Sequence, residues 1–196
     1  MKILSSNKDY AICIKPVGLD SEHEVPAALK DALSGEVFPI HRLDKNVGGV
    51  MIYARNKAAA AALSKAVQEG SLVKEYVAQV HGTPPETGDW TDLLWKDSTK
   101  NKVFVVKRER KGVKRAHLEF RRLTEGEFSL VRVRLHTGRS HQIRVQFASR
   151  SFPLVGDHKY GARDNSPAPM LFSCCLTFPW KGETKRFEYL PDWAEM

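Results

Sequence analysis

Apolar positions along this chain come mostly in short runs closed by glycine, proline or charged residues, the punctuation of strands joined by turns. Tyr10-Ala11-Ile12-Cys13-Ile14 is a continuous apolar run stopped by Lys15-Pro16-Val17-Gly18, which predicts a buried strand and a turn. Gly49 to Tyr53 predicts a second buried strand. Lys74 to Val80 alternates at period two and places Tyr76, Ala78 and Val80 on one face. Phe128 to Leu135 alternates apolar residues with Arg132 and Arg134, a strand with one charged face. Val103 to Val106 and His117 to Leu123 are expected to pair around Arg110-Lys111-Gly112, with Asp92 to Asn101 irregular. Met170 to Phe178 and Arg186 to Tyr189 are expected as strands around Pro179-Trp180-Lys181-Gly182.

Helical signals are fewer. Val25 to Leu33 opens with Pro26 just inside its start and is followed by Gly35. Asn56 is placed to cap a helix from Lys57 to Glu69, whose alanine run has high helix propensity and suits close packing on a sheet. Ser140 is placed to cap a third helix reaching about Ser149, with His141, Arg144 and Ala148 on one face. Arg139 beside that N-terminus favours an anion. The pattern predicts a mixed α/β (α+β) fold with a central, mostly antiparallel mixed sheet flanked by helices and loops. With 196 residues and no break in composition, a single domain over 1–196 is expected.

Charge narrows the function. The net charge is +8, yet Lys100 to Arg150 alone holds 15 Lys or Arg against 4 Glu, so the remainder carries −3. Basicity confined to one region is the footprint expected for a nucleic-acid partner. Three cysteines, two of them adjacent, make no disulfide framework and suit a reduced compartment. No Cys-x-x-Cys spacing occurs, and His136 and His141 lack helical ligand spacing, so neither metal nor cofactor is expected. The N-terminal residues lack the apolar length of a signal peptide or membrane span, and a cytoplasmic protein is expected.

Candidate chemistry centres on His41-Arg42-Leu43-Asp44, followed by Val47-Gly48-Gly49 and an apolar run. An aspartate is ionised at pH 7, but shutting it away from water raises its pKa by as much as about 3 to 5 units. A nearby guanidinium lowers it by about 1 to 3 units, so Asp beside Arg suits a nucleophile held ready. The bland alternative is a surface ion pair at a strand opening, the commoner fate of a generic Arg-x-Asp.

Four separated segments, in this order, resemble the RluA family of RNA pseudouridine synthases: Lys15-Pro16-Val17-Gly18, His41-Arg42-Leu43-Asp44, Lys74-Glu75-Tyr76-Val77-Ala78 and Thr137-Gly138-Arg139-Ser140-His141-Gln142-Ile143-Arg144. The Gly156-Asp157…Tyr160-Gly161 turn and the region from Leu171 to Pro191 follow the same pattern. The resemblance implies the pseudouridine synthase fold and no cofactor. It implies a reaction that breaks a uridine's N-glycosidic bond, turns the uracil and rejoins it through C5. Asp44 would be the nucleophile and Arg144 its salt-bridge partner. Tyr76 would stack on the uracil and take the C5 proton. Arg42 would help hold the nucleotide out of its helix or fill the space it leaves, with His41, Arg139 and His141 also on the substrate side. The partner would be ribosomal or transfer RNA, met by a monomer without a required protein partner.

Two departures stand out. Val47-Gly48-Gly49 replaces the usual Thr-Ser-Gly, and Gln146 replaces a frequent His. The stretch before Tyr10 is too short for the S4 RNA-binding domain of many relatives, so specificity is expected from the catalytic domain itself or from a partner. The alternative is a catalytically silent RNA-binding or ribosome-assembly protein on the same fold. A kinase-like reading of His-Arg-x-Asp fails, because neither a glycine-rich nucleotide loop nor Asp-Phe-Gly accompanies it.

Overall fold

The structure, a computed structural model, describes residues 1–195. In chain order the first elements are β1 (Lys2–Ser6), β2 (Tyr10–Lys15), α1 (Glu24–Leu33), β3 (Phe38–Pro39), β4 (Gly48–Ala54) and α2 (Lys57–Gln68). They are followed by β5 (Val73–His81), β6 (Thr87–Asp97), β7 (Lys102–Val106), β8 (Val113–Arg122) and β9 (Phe128–Leu135). The last are α3 (Gln142–Ala148), β10 (Leu171–Trp180) and β11 (Glu183–Glu188). The chain divides into two compact units, residues 1–74 with 172 onward, and residues 75–171.

In the first unit the strands run β1-β2-β4-β10, with β11 on β10 and β3 on β4. All these pairs are antiparallel except β4 with β10. The apolar runs of β2 and β4 are buried on both faces, which is why they show no polar alternation. One face packs Tyr10, Ile12, Val50, Ile52 and Ala54 against Ala59, Leu63 and Ala66 of α2. Helix α2 starts where its cap requires, because Asn56 Oδ1 accepts from the Ala59 amide at 2.8 Å. The β10–β11 hairpin turns at Lys181-Gly182, both at positive φ (50° and 84°), as a tight two-residue connection demands.

In the second unit the order is β5-β9-β8-β6-β7. The short helix α3 covers one face, with Val145 against Leu94, Val103 and Ala116, and Phe147 against Trp90 and Phe120. Two expectations are corrected here. The Asp92–Asn101 stretch is not irregular: residues up to Asp97 belong to β6, the longest strand. Strands β7 and β8 do not pair with each other, because β6 lies between them and pairs with both. The cause is Asp92, which stands at a helix-facing position of β6 and breaks the apolar rhythm. Its carboxylate is satisfied by Arg150 (2.8 and 3.1 Å) and by Gln146 Nε2 (2.7 Å). The expected mixed α/β fold with mostly antiparallel pairing is borne out.

Gly49 shows how tightly the parallel β4–β10 contact is drawn. At φ 137° a Cβ there would lie 2.4 Å from the Ser173 amide nitrogen and 2.5 Å from its carbonyl oxygen, both rigid backbone atoms. Gly49→Ala is therefore expected to cost about 3 kcal/mol or more, read as a shift in the urea unfolding midpoint.

Candidate active site

The loop carrying Asp44 is built around a buried lysine. Lys15 ends β2, is fully buried, and its Nζ donates to the carbonyls of Pro16 (3.0 Å), Leu19 (2.8 Å) and Lys45 (3.1 Å). Burial pulls its ammonium down to about 8, while the Asp20 and Asp44 carboxylates act in the opposite direction. On the other side of Asp44, Ser21 Oγ donates to the Leu43 carbonyl (3.0 Å) and accepts from the Leu43 amide (3.2 Å). The Val47 amide closes a turn on the Asp44 carbonyl at 3.0 Å. Backbone anchors on both sides thus fix where the half-buried Asp44 side chain starts.

The flanking residues differ in kind. Arg42 is exposed and meets Glu22 at 3.3 Å, a surface pair of small energetic weight that leaves the guanidinium able to move to an anion. The His41 ring nitrogen Nε2 accepts the Ile52 amide at 3.3 Å, which fixes the tautomer with the proton on Nδ1. That buried Nδ1 has no hydrogen-bond partner among the described residues. Burial first, and the Lys74 charge second, push the His41 pKa down to about 3, so the ring is neutral.

In the second unit, Tyr76 is buried on β5, 5% exposed. Arg144 lies on α3 with its side chain 4% exposed, and its guanidinium grips Asp157 through Nε–Oδ2 at 2.6 Å and Nη2–Oδ1 at 2.8 Å. The same guanidinium sits 5.2 Å from the centre of the Tyr160 ring. Tyr160 Oη accepts from the Val103 amide (2.9 Å) and lies 2.8 Å from His141 Nδ1, so His141, Tyr160, Arg144 and Asp157 form one cluster. Arg139 is at the surface, its Nε donating to the Arg115 carbonyl at 2.9 Å.

The expected cap of α3 is corrected. Ser140 does not cap the helix: the N-cap position is His141, in the left-handed region at φ 50°, with no side-chain cap bond. The turn is organised instead by Gln142, whose Oε1 accepts from Thr137 Oγ1 (2.8 Å) and the Arg139 amide (3.0 Å). His141 therefore does not share a helical face with Arg144 and Ala148, and meets the arginine's surroundings through Tyr160.

Two residues escaped the sequence reading of the site. Lys15 and Asp157 both lie in family motifs, but in sequence each reads as part of a turn. A lysine directly after a fully apolar run, and an aspartate between a glycine and a Tyr-Gly pair, were the available signals.

A family model described as RNA pseudouridylate synthase matches residues 4–149. The chain belongs to this family, in its RluA-type branch. An RNA pseudouridine synthase described as uncharacterised, from Aquifex aeolicus, is 32% identical over 96% of this chain and 68% of its own length. Ribosomal large subunit pseudouridine synthase D of Borreliella burgdorferi is 36% identical over 65% of the chain, which spans only 39% of that relative. The tRNA pseudouridine synthase C of Haemophilus ducreyi is 30% identical, covering 82% and 71%. Among solved structures, human RNA pseudouridylate synthase domain containing 4 superposes with a TM-score of 0.83 at 22% identity, covering 98% of this chain and 89% of that one. That likeness shows the shared fold.

The two departures from the usual family pattern have structural counterparts in this chain. A Cβ on Gly48 would lie 3.2 Å from the Lys15 carbonyl and 3.4 Å from the Phe172 ring, so the space of the missing serine side chain is already crowded. Gln146 reaches Asp92 and the Trp90 carbonyl, tying α3 to β6.

Two outcomes follow from these contacts. Removing the charge of a buried partner leaves the other ion uncompensated, so Asp157→Asn is expected to cost about 3 to 5 kcal/mol in chemical denaturation. His41, with a folded pKa of about 3 against about 6.5 unfolded, stays neutral in the folded chain while the unfolded chain takes up a proton. Its contribution is complete above about pH 6.5 and falls as the pH drops toward 3, so His41→Gln is expected to flatten the acid limb of the stability-versus-pH curve.

Proposed function

We propose that the protein isomerises a specific uridine to pseudouridine in structured RNA, with Asp44 as the nucleophile. The observation that carries the reading is the double anchoring of the Asp44 loop by Lys15 and Ser21, within the motif where the family keeps its aspartate. A loop with this many internal ties holds its carboxylate in one place, which is what attack on a bound nucleotide requires.

The target uridine is extruded from its helix, since a paired and stacked base offers neither C1′ nor C6 to an enzyme group. Asp44 promotes cleavage of the bond between C1′ and N1. The freed uracil turns over, C5 bonds to C1′ as the Asp44 carboxylate is released, the proton on C5 leaves and N1 takes one up. Nothing is consumed, so the reaction needs no cofactor. Tyr76 supplies the flat face for the uracil and the base for its C5 proton, and Arg144 supplies positive charge for the carboxylate. Arg42, exposed beside Glu22, contacts the nucleotide or the gap it leaves. His41, Arg139 and His141 support the substrate side.

The substrate class is ribosomal or transfer RNA, the two substrates for which matching relatives are named. The basic stretch from Lys100 to Arg150 lies wholly within the second unit and supplies phosphate contacts that position RNA without reading its bases. Among the described residues no helix is long and apolar enough to cross a membrane. We place the protein in the cytoplasm, acting as a monomer.

With RNA labelled by tritium at uridine C5, wild-type protein is expected to release tritium. Asp44→Asn is expected to lower that release by at least about a thousandfold while RNA affinity changes less than about threefold. Release by the variant at the wild-type rate would remove Asp44 from the chemistry. No release by the wild type from any RNA fraction, with binding intact, would favour an RNA-binding protein on the same fold.

A further inference from the structure

On the face of the second unit's sheet opposite α3, three side chains with metal-ligating atoms come together. His117 and Glu119 are two apart on β8 and so project from the same face. His136 follows β9 directly and sits beside His117 across the ladder, its amide donating to the His117 carbonyl at 3.1 Å. The two rings stack with centroids 4.2 Å apart and an interplanar angle of 14°. One nitrogen from each ring and one oxygen of Glu119 all lie within 4.8 Å of one another. His136 Nε2 is 3.2 Å from Glu119 Oε2, and His117 Nε2 is 2.7 Å from Oδ1 of Asp89, which faces Glu119 from β6.

We propose that His117, His136 and Glu119, with Asp89 beside them, form a binding site for a divalent transition-metal ion, Zn2+ first among them. Two imidazoles and a carboxylate are a zinc ligand set, and nitrogen donors select Zn2+, Co2+ and Ni2+ over Mg2+ and Ca2+. Tetrahedral coordination at about 2.0 to 2.2 Å brings ligand atoms to about 3.5 Å from one another, a closure that side-chain rotation of these partly exposed residues achieves on a fixed ladder. Asp89 takes either of two places, as the fourth ligand or as the carboxylate that orients the His117 ring from outside. Arg134, paired with Glu119 in register, adds a positive charge that the two carboxylates offset. Helical spacing of His136 and His141 gave no hint of this site, because its ligands come from neighbouring strands.

The location gives the ion a structural task. His117 donates its amide to Thr137 Oγ1 at 2.8 Å, and its carbonyl accepts Gln142 Nε2 at 3.0 Å. An ion bridging His117 and His136 would clamp β8 to the end of β9 just before the Thr137–Arg144 segment. The site is independent of the catalytic assignment.

The test titrates the full chain, stripped with chelator, with Zn2+ by calorimetry and with Co2+ by visible absorption. One ion per chain is expected, with tetrahedral Co2+ bands and a raised melting temperature. His136→Gln and Glu119→Gln, each checked for native circular dichroism, are expected to weaken Zn2+ at least tenfold and to remove the Co2+ bands, whereas His158→Gln leaves both unchanged. Absence of stoichiometric binding by the wild type, or equal binding by His136→Gln and Glu119→Gln, would overturn the proposal.

Discussion

A guanidinium taken almost wholly out of water is tolerated only when its charge is met, and Arg144 meets Asp157 in a two-pronged pair with both side chains under 5% exposed. Much of the second unit is arranged to keep that carboxylate in place. Asp157 sits in a turn whose preceding residue, Gly156, has φ 77° and no room for a side chain, since a Cβ would come within 2.0 Å of the Ala168 carbonyl. Asp164 holds the turn from behind, accepting from the amides of Gly156 and Ser166 and pairing with His81 at 2.7 Å. Burial acts to raise the Asp164 pKa, but those amides and His81 outweigh it and hold the carboxyl at about 2. A turn that looks like a plain connection is thus the support for a buried ion.

The first unit solves the same problem with a different partner. Lys15 is buried without a carboxylate in direct contact among the bonds described, and its ammonium is surrounded instead by three carbonyl oxygens from two loops. The Lys45 carbonyl also accepts from the Gly18 amide at 2.8 Å, so the lysine and that amide together tie one loop to the other. The lysine therefore does two jobs: it satisfies the loop backbones and it fixes the segment on which Asp44 stands. The glycine pair that follows lets β4 approach β10 closely, and the absence of side chains there is what the crowding by Lys15 and Phe172 demands.

What could be read from the sequence followed from how regular each local signal was. The apolar run of β2, the Asn56 cap and the alternation of β9 appear almost where the pattern put them, because burial on both faces, a capping side chain and period two are local properties. The β6 strand was not legible, since its helix-facing Asp92 depends on Arg150 and Gln146, more than fifty residues away. The start of α3 was misplaced for a similar reason: Gln142, inside the helix, satisfies the turn that Ser140 was expected to cap. For the site, the motifs named Asp44, Tyr76 and Arg144 by resemblance, while the partners that hold the two loops, Lys15 and Asp157, became visible only with their contacts. Motif residues identify chemistry, whereas the groups that bury them safely are set by tertiary packing.

The central claim is that this chain converts uridine to pseudouridine through Asp44, and pseudouridine mapping across total RNA from cells bearing and lacking the gene tests it most directly. The account predicts at least one pseudouridine that disappears with the gene, returns with the intact gene and stays absent when the gene encoding Asp44→Asn is supplied at equal protein level. Restoration of that pseudouridine by the Asp44→Asn protein, or an identical map with and without the gene, would contradict it.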